Sequence, residues 1–151
     1  MKTFLKTIAF MLVLTGVFAC TPEEDLTPQS LEVTPNNISG EWELVQWNGN
    51  ALEDGTYFYN EFIRKDRKYV IYQNFKSIGE FPQVLTGTFN IETDVELGAI
   101  IRGMYDFDGG YWAHDYEVNN LTSGQMEWVA VDDIEFTQKF VKSKIPAELK
   151  K

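Results

Sequence analysis

Few side chains in this sequence are equipped for chemistry, and they do not form a constellation. His114 is the only histidine and Cys20 the only cysteine, which excludes multi-histidine zinc sites. A serine triad needs a histidine beside a serine and an acid, yet no Gly-x-Ser-x-Gly elbow occurs. No glycine-rich phosphate loop or dinucleotide fingerprint occurs either. Asp106-Phe107-Asp108-Gly109-Gly110 begins like a calcium loop, because oxygen ligands suit a hard cation and glycine permits a sharp turn. The pattern does not continue, and a hairpin turn accounts for the same residues. Acids abound, but abundance supplies neither a raised pKa nor the fixed separation of a glycosidase pair. The expectation is a protein that is not an enzyme and needs no metal or cofactor. A carboxylate hydrolase is the catalytic alternative.

Aromatic side chains are the stronger lead, with 11 Phe, 7 Tyr and 4 Trp. Tyrosine and tryptophan join an apolar body to a polar tip, which suits amphipathic ligands and sugars alike. The same residues also serve as packing in a small core, and both readings stand at this point. His114 is expected on one strand face with Trp112, Tyr116 and Val118, as a partly buried histidine with a hydrogen-bond partner.

The elements that must position these residues are strands. From Ile38 onward, short runs rich in aromatic and β-branched residues alternate with turn signals, and no helical stripe is sustained. Eight strands are predicted, near Glu41–Trp47, Tyr57–Arg64, Lys68–Asn74, Leu85–Glu92, Ala99–Asp106, Tyr111–Val118, Met126–Val131 and Ile134–Val141. Asn48-Gly49, Asp54-Gly55, Asp108-Gly109-Gly110 and Ser123-Gly124 are among the breaks. Short connections favour antiparallel neighbours joined as hairpins. Eight such strands close into an all-β, eight-stranded antiparallel up-and-down barrel, with a β-sandwich as the alternative.

The amino terminus reads as an address. Lys2 and Lys6 precede an apolar stretch from Thr7 to Phe18, and Val17-Phe18-Ala19-Cys20 puts a small residue before cysteine. A positive start, a short apolar core and a small-residue cleavage site make a signal peptide, too short for a comfortable membrane span. The cysteine at its end resembles the lipobox of bacterial lipoproteins, with Phe18 where a small residue is usual. That resemblance implies cleavage after residue 19, a diacylglycerol on Cys20 and a further acyl chain, such as palmitate, on the new amino terminus. Two or more chains anchor a protein stably. The alternative is an ordinary secreted protein with one free thiol.

Residues 20–37 carry Pro22, Pro28 and Pro35 without sustained period and read as a flexible acidic tether. Glu23-Glu24-Asp25 resembles the signal that sends some Gram-negative lipoproteins to the outer face of the outer membrane; a merely soluble tether explains it equally well. The formal charge is −10, and loss of Lys2 and Lys6 makes the mature chain more acidic still. Such a field repels phosphate, so nucleic acid is not an expected partner.

Ile38-Ser39-Gly40-Glu41-Trp42-Glu43-Leu44-Val45 carries the Gly-x-Trp that opens the first strand of lipocalins. With eight strands behind it, the chain resembles the lipocalin-like domain lipoproteins of Gram-negative bacteria over about residues 38–142, leaving 143–151 as a C-terminal tail. The resemblance implies a barrel plugged at one end by Gly40 and Trp42. In lipocalins an arginine on the last strand stacks across this tryptophan; here the predicted strand offers Lys139 instead. The mouth is then expected opposite Trp42, near Trp47, with Tyr57, Tyr59, Tyr72, Tyr105, Tyr111 and Trp112 as ligand contacts beside the Phe75–Phe81 loop. The expected function is a lipid-anchored outer-membrane protein, held through Cys20, that binds a small apolar or amphipathic ligand. The alternative is a surface module binding glycan or another envelope protein through exposed aromatics.

Overall fold

The computed structural model describes residues 27–75 and 82–151. The signal segment, Cys20, the acidic triplet and most of the Phe75–Phe81 loop lie outside the described residues.

Among the described residues, alternating apolar residues build nine antiparallel strands: β1 (Gly40–Trp47), β2 (Asn50–Ala51), β3 (Phe58–Ile63), β4 (Lys68–Gln73), β5 (Gln83–Asp94), β6 (Gly98–Tyr105), β7 (Tyr116–Asn119), β8 (Gln125–Ala130) and β9 (Asp133–Lys142). Each strand from β3 to β9 pairs with the next, and β9 returns to pair with β1, which also pairs with β3. Eight strands therefore close into a barrel, and the sandwich alternative is excluded. The two-residue β2 hangs on the end of β1 as a hairpin. Closure leaves none of the eight with a free edge.

Seven of the eight predicted strands fall close to their observed places. The sixth does not. Tyr111–Val118 alternates like a strand, but ladder pairing starts only at Tyr116. Before it, the chain turns inward, with one isolated bridge between Met104 and Tyr111 and the Trp112 N–H donating to the Gly103 carbonyl at 2.9 Å.

One end of the barrel is filled. Trp42, Phe62, Phe140, Met126 and Leu121 are buried there with Ile38 from the short helix α1 (Pro35–Ile38). Thr34 caps that helix by accepting from the Asn37 N–H. The Trp42 Nε1–H donates to the Ile38 carbonyl at 2.8 Å, so the indole is satisfied although fully buried. The basic side chain over this indole is Lys142, not Lys139: its Nζ stands 4.1 Å from the ring centre. Lys139 points away, 3.9 Å from Glu127. The predicted last strand ends one residue short of the lysine that covers the indole.

The segment leading into the barrel docks earlier than its polar composition suggests. Leu31 and Val33 pack against the core, and the Leu31 N–H donates to the Leu121 carbonyl at 2.8 Å. The C-terminal residues dock as well. Ile145 is buried, its N–H donates to Glu41 Oε2 at 2.7 Å, and Lys150 reaches Glu41 at 2.6 Å and Glu61 at 3.3 Å.

Candidate functional site

The other end of the barrel is hollow. A cavity of about 300 Å³ lies at the end opposite Trp42, within reach of Trp47 on β1, Phe58 on β3, Gln73 on β4, Leu85 on β5, Tyr105 on β6 and Phe136 on β9. Its size is at the lower end of the range for small-molecule sites.

Local sequence explains how each wall residue comes to face inward. In β3, Phe58, Asn60 and Phe62 share the inner face; in β4, Tyr69, Ile71 and Gln73 do. Along β1 the parity of Trp42 and Leu44 would send Trp47 outward. A bulge between Leu44 and Gln46 adds a residue and restores Trp47 to the interior. There it meets Phe75 and Phe136 edge-on, at 5.0 and 5.2 Å between ring centres.

Trp112 forms one wall because Gly103 gives it room. A methyl group on Gly103 would fall 2.0 Å from the indole, so any side chain at this position would displace the ring. Trp112 continues into a stack with Trp128 at 5.7 Å, and Trp128 in turn meets Tyr116 at 5.2 Å and Phe140 at 4.8 Å. Burial pushes the Tyr116 and Tyr105 phenols above their ordinary range, with nearby acids adding to the effect. Both stay neutral hydrogen-bonding groups at any physiological pH.

Polar groups are few and concentrated. Asn60, Gln73 and Gln138 are buried and line the cavity. The Gln73 amide donates to Gln83 Oε1 and accepts from the Phe75 N–H. Asn60 differs: neither of its amide atoms has a hydrogen-bond partner, nor does Nε1 of Trp128. At the rim His114 lies 4.7 Å from the Phe136 ring and donates through Nδ1 to Asp132 at 2.7 Å. That imidazole holds the Asp132 carboxyl below the usual range. The expected hydrogen-bond partner of His114 is therefore Asp132, although the strand face it was to share does not exist.

Of the six aromatic residues singled out from the sequence, the structure brings Tyr105 and Trp112 to the cavity. Tyr111 stands beside them on the rim but is 75% exposed. Tyr59 and Tyr72 occupy the outer face of the barrel, on the parity opposite Phe58 and Ile71, and the Tyr57 ring lies beside that of Tyr59, 6.0 Å between centres. The Tyr59 hydroxyl donates to Glu43 at 3.4 Å, and burial followed by the Glu43 charge pushes it up. Tyr72 is covered from outside, where burial and Glu61 raise its phenol. Sequence reasoning missed Asn60, Gln73 and Gln138. The signal was there: Phe-x-Asn-x-Phe at 58–62 and Phe-x-Gln-x-Phe at 136–140 set one amide between two phenylalanines of the same strand face.

The calcium-like segment is a turn. Gly109 has φ +69°, its N–H donates to the Tyr105 carbonyl, and the Asp108 carboxylate accepts from the Gly110 N–H. Asp106 accepts from the Thr86 hydroxyl at 2.7 Å. Both carboxylates hold backbone or side chain in place. No protein-family model matches the chain, and no curated protein matches it.

Proposed function

We propose that this chain is a lipid-anchored envelope protein that carries a small amphipathic molecule in the hollow end of a lipocalin-like barrel. The observation that carries this reading is the aromatic cavity opposite Trp42. An interior filled throughout would be the cheaper solution for a small domain, since dispersion contacts are lost along every empty wall. Lys142 over Trp42 supports the likeness to lipocalins, in which a basic side chain of the last strand covers the first-strand tryptophan. The signal segment and Cys20 support the anchor and an outer-membrane location. The role is binding, with no chemical step assigned to any residue.

Calorimetric titration with 2-naphthol tests this reading against a cavity-filling variant, Leu85→Phe. Saturable binding by the wild type that the variant loses supports it. Equal binding by both would place the ligand outside the barrel. The exposed Phe107 and Tyr111 on the rim would then favour the second reading, a surface module for glycan or another envelope protein.

A further inference from the structure

The cavity holds a polar demand that the protein itself does not answer. Asn60 is 1% exposed and Trp128 3%. The Asn60 amide nitrogen, the Asn60 amide oxygen and Trp128 Nε1 all lack hydrogen-bond partners. Buried side-chain amides are nearly always paired, because an unpaired one forfeits its hydration without compensation. Gln73, in the same chamber, obeys that rule through Gln83 and the Phe75 N–H. Trp112 Nε1 also lacks a partner of good geometry, but it lies against the Tyr69 phenol, where it counters the upward push of burial. Asn60 and Trp128 thus present unpartnered polar atoms to an occupant of the chamber.

Their chemistry restricts that occupant. Asn60 presents a donor and an acceptor side by side, and the Trp128 indole adds a donor. An edge with adjacent N–H and C=O answers both Asn60 groups and keeps a carbonyl lone pair for the indole. The charge of the chamber narrows the class further. Among the described residues no lysine, arginine, aspartate or glutamate lines it, and the rim histidine is already paired with Asp132. A carboxylate head would therefore be buried without a counter-ion, which is costly. The net charge of −10 opposes the approach of an anion as well. Shape is the third restriction. The walls are flat rings, Trp112, Tyr116, Trp128 and Phe136, and the volume equals that of only about ten waters.

We infer that the chamber takes a small, neutral, flat molecule whose amide-like edge enters first and pairs with Asn60 on the floor. The inference rests on reading the cavity as a ligand site and names the ligand's chemical class. It predicts the opposite orientation to a fatty acid held tail-first with its carboxylate at the mouth.

The test is calorimetric titration of the purified full-length chain with three two-ring probes: 2-quinolinone, naphthalene and 2-naphthoate. The wild type should bind 2-quinolinone at least tenfold more tightly than either of the others. Asn60→Leu, close in volume but without the amide, should lose that preference while binding naphthalene as well as before or better. If Asn60→Leu fails to fold, Asn60→Ser supplies the same comparison. A wild type that binds naphthalene or 2-naphthoate as tightly as 2-quinolinone overturns the inference and leaves the cavity as an apolar site. Asn60 variants that keep the 2-quinolinone preference overturn it too. Binding of none of the three overturns both the inference and the ligand-site reading.

Discussion

The Lys142 ammonium stands 4.1 Å from the centre of the Trp42 ring and donates to the Ser39 carbonyl at 2.6 Å. One side chain thus ties the last strand to the first and to the chain entering the barrel. Gly40 makes the approach possible: its φ is +113°, and a methyl there would fall 2.7 Å from the same ammonium. Burial pulls the Lys142 pKa down, so the ring and the carbonyl offset a real desolvation cost.

Trp42→Ala should therefore cost roughly 3–5 kcal/mol, as for other large aromatic truncations in cores. Lys142→Met keeps the packing of the stem and loses the charge, and should cost only about 1 kcal/mol. Chemical denaturation measures both. Equal losses for the two would mean that the ammonium, not the indole, closes this end.

The C-terminal residues are clasped by Glu41. Its carboxyl is held below the usual range first by the Lys150 ammonium and then by the Ile145 N–H. Lys150 is raised in return, chiefly by Glu41. A depressed carboxyl contributes stability that is complete above its unfolded pKa, about 4, and is lost as the pH falls through its lower folded value. The raised ammonium contributes below its unfolded pKa and loses that contribution as pH rises through the folded one. Glu41→Gln should destabilise by about 1 kcal/mol at neutral pH, and by less in high salt, because the groups are partly solvated. As the pH falls below that lower folded value the variant and wild type should converge. Urea melts across pH at two salt concentrations read this out.

Gly103→Ala should displace Trp112 from the chamber wall. A methyl 2.0 Å from the indole cannot be absorbed by the far end of a flexible chain, since the ring itself is the obstacle. A destabilisation of about 1–3 kcal/mol is expected, with Trp112 becoming solvent-exposed. Acrylamide quenching of tryptophan fluorescence should rise in the variant. Unchanged quenching would mean that the ring is not seated over Gly103.

Asn60→Leu should stabilise the ligand-free protein, by about 1–3 kcal/mol, because it removes an unpaired buried amide without opening a void. A thermal melt in the absence of ligand checks the sign. A loss of similar size would mean that the amide is satisfied in solution.

The barrel and its eight strands could be read from alternation and turn residues, but the added hairpin strand β2 could not. The site was half legible. Tyr105 and Trp112 were recognisable as amphipathic aromatics, but so were Tyr57, Tyr59 and Tyr72, and type alone does not give the face. The outer face suits Tyr59 and Tyr72 because their hydroxyls reach water or Glu43. Conversely, Asn60 and Gln138 are of types common on solvent-facing strand positions, and only their phenylalanine neighbours fix the parity. Two irregularities hid the rest. The bulge before Trp47 breaks the period of two, and the inward turn at Trp112 mimics a strand because it alternates without pairing.

The proposed anchor is tested by Cys20→Ala. If Cys20 carries the lipid, the variant should leave the membrane fraction, and fatty-acid labelling should mark only the wild type. Equal partitioning of the two would remove the lipoprotein assignment.

The central claim is a hollow barrel end that takes a ligand, and the four tryptophans report on it directly. Trp47, Trp112 and Trp128 line the chamber, while Trp42 is sealed in the opposite end by Ile38 and Lys142. Indole N–H resonances in a ¹⁵N-labelled sample, followed during titration with 2-naphthol, resolve them. Saturable shifts are expected for Trp47, Trp112 and Trp128 with a common affinity, and no shift for Trp42. Shifts confined to Trp42, or no saturable shift at any of the four, would contradict a ligand-binding hollow end.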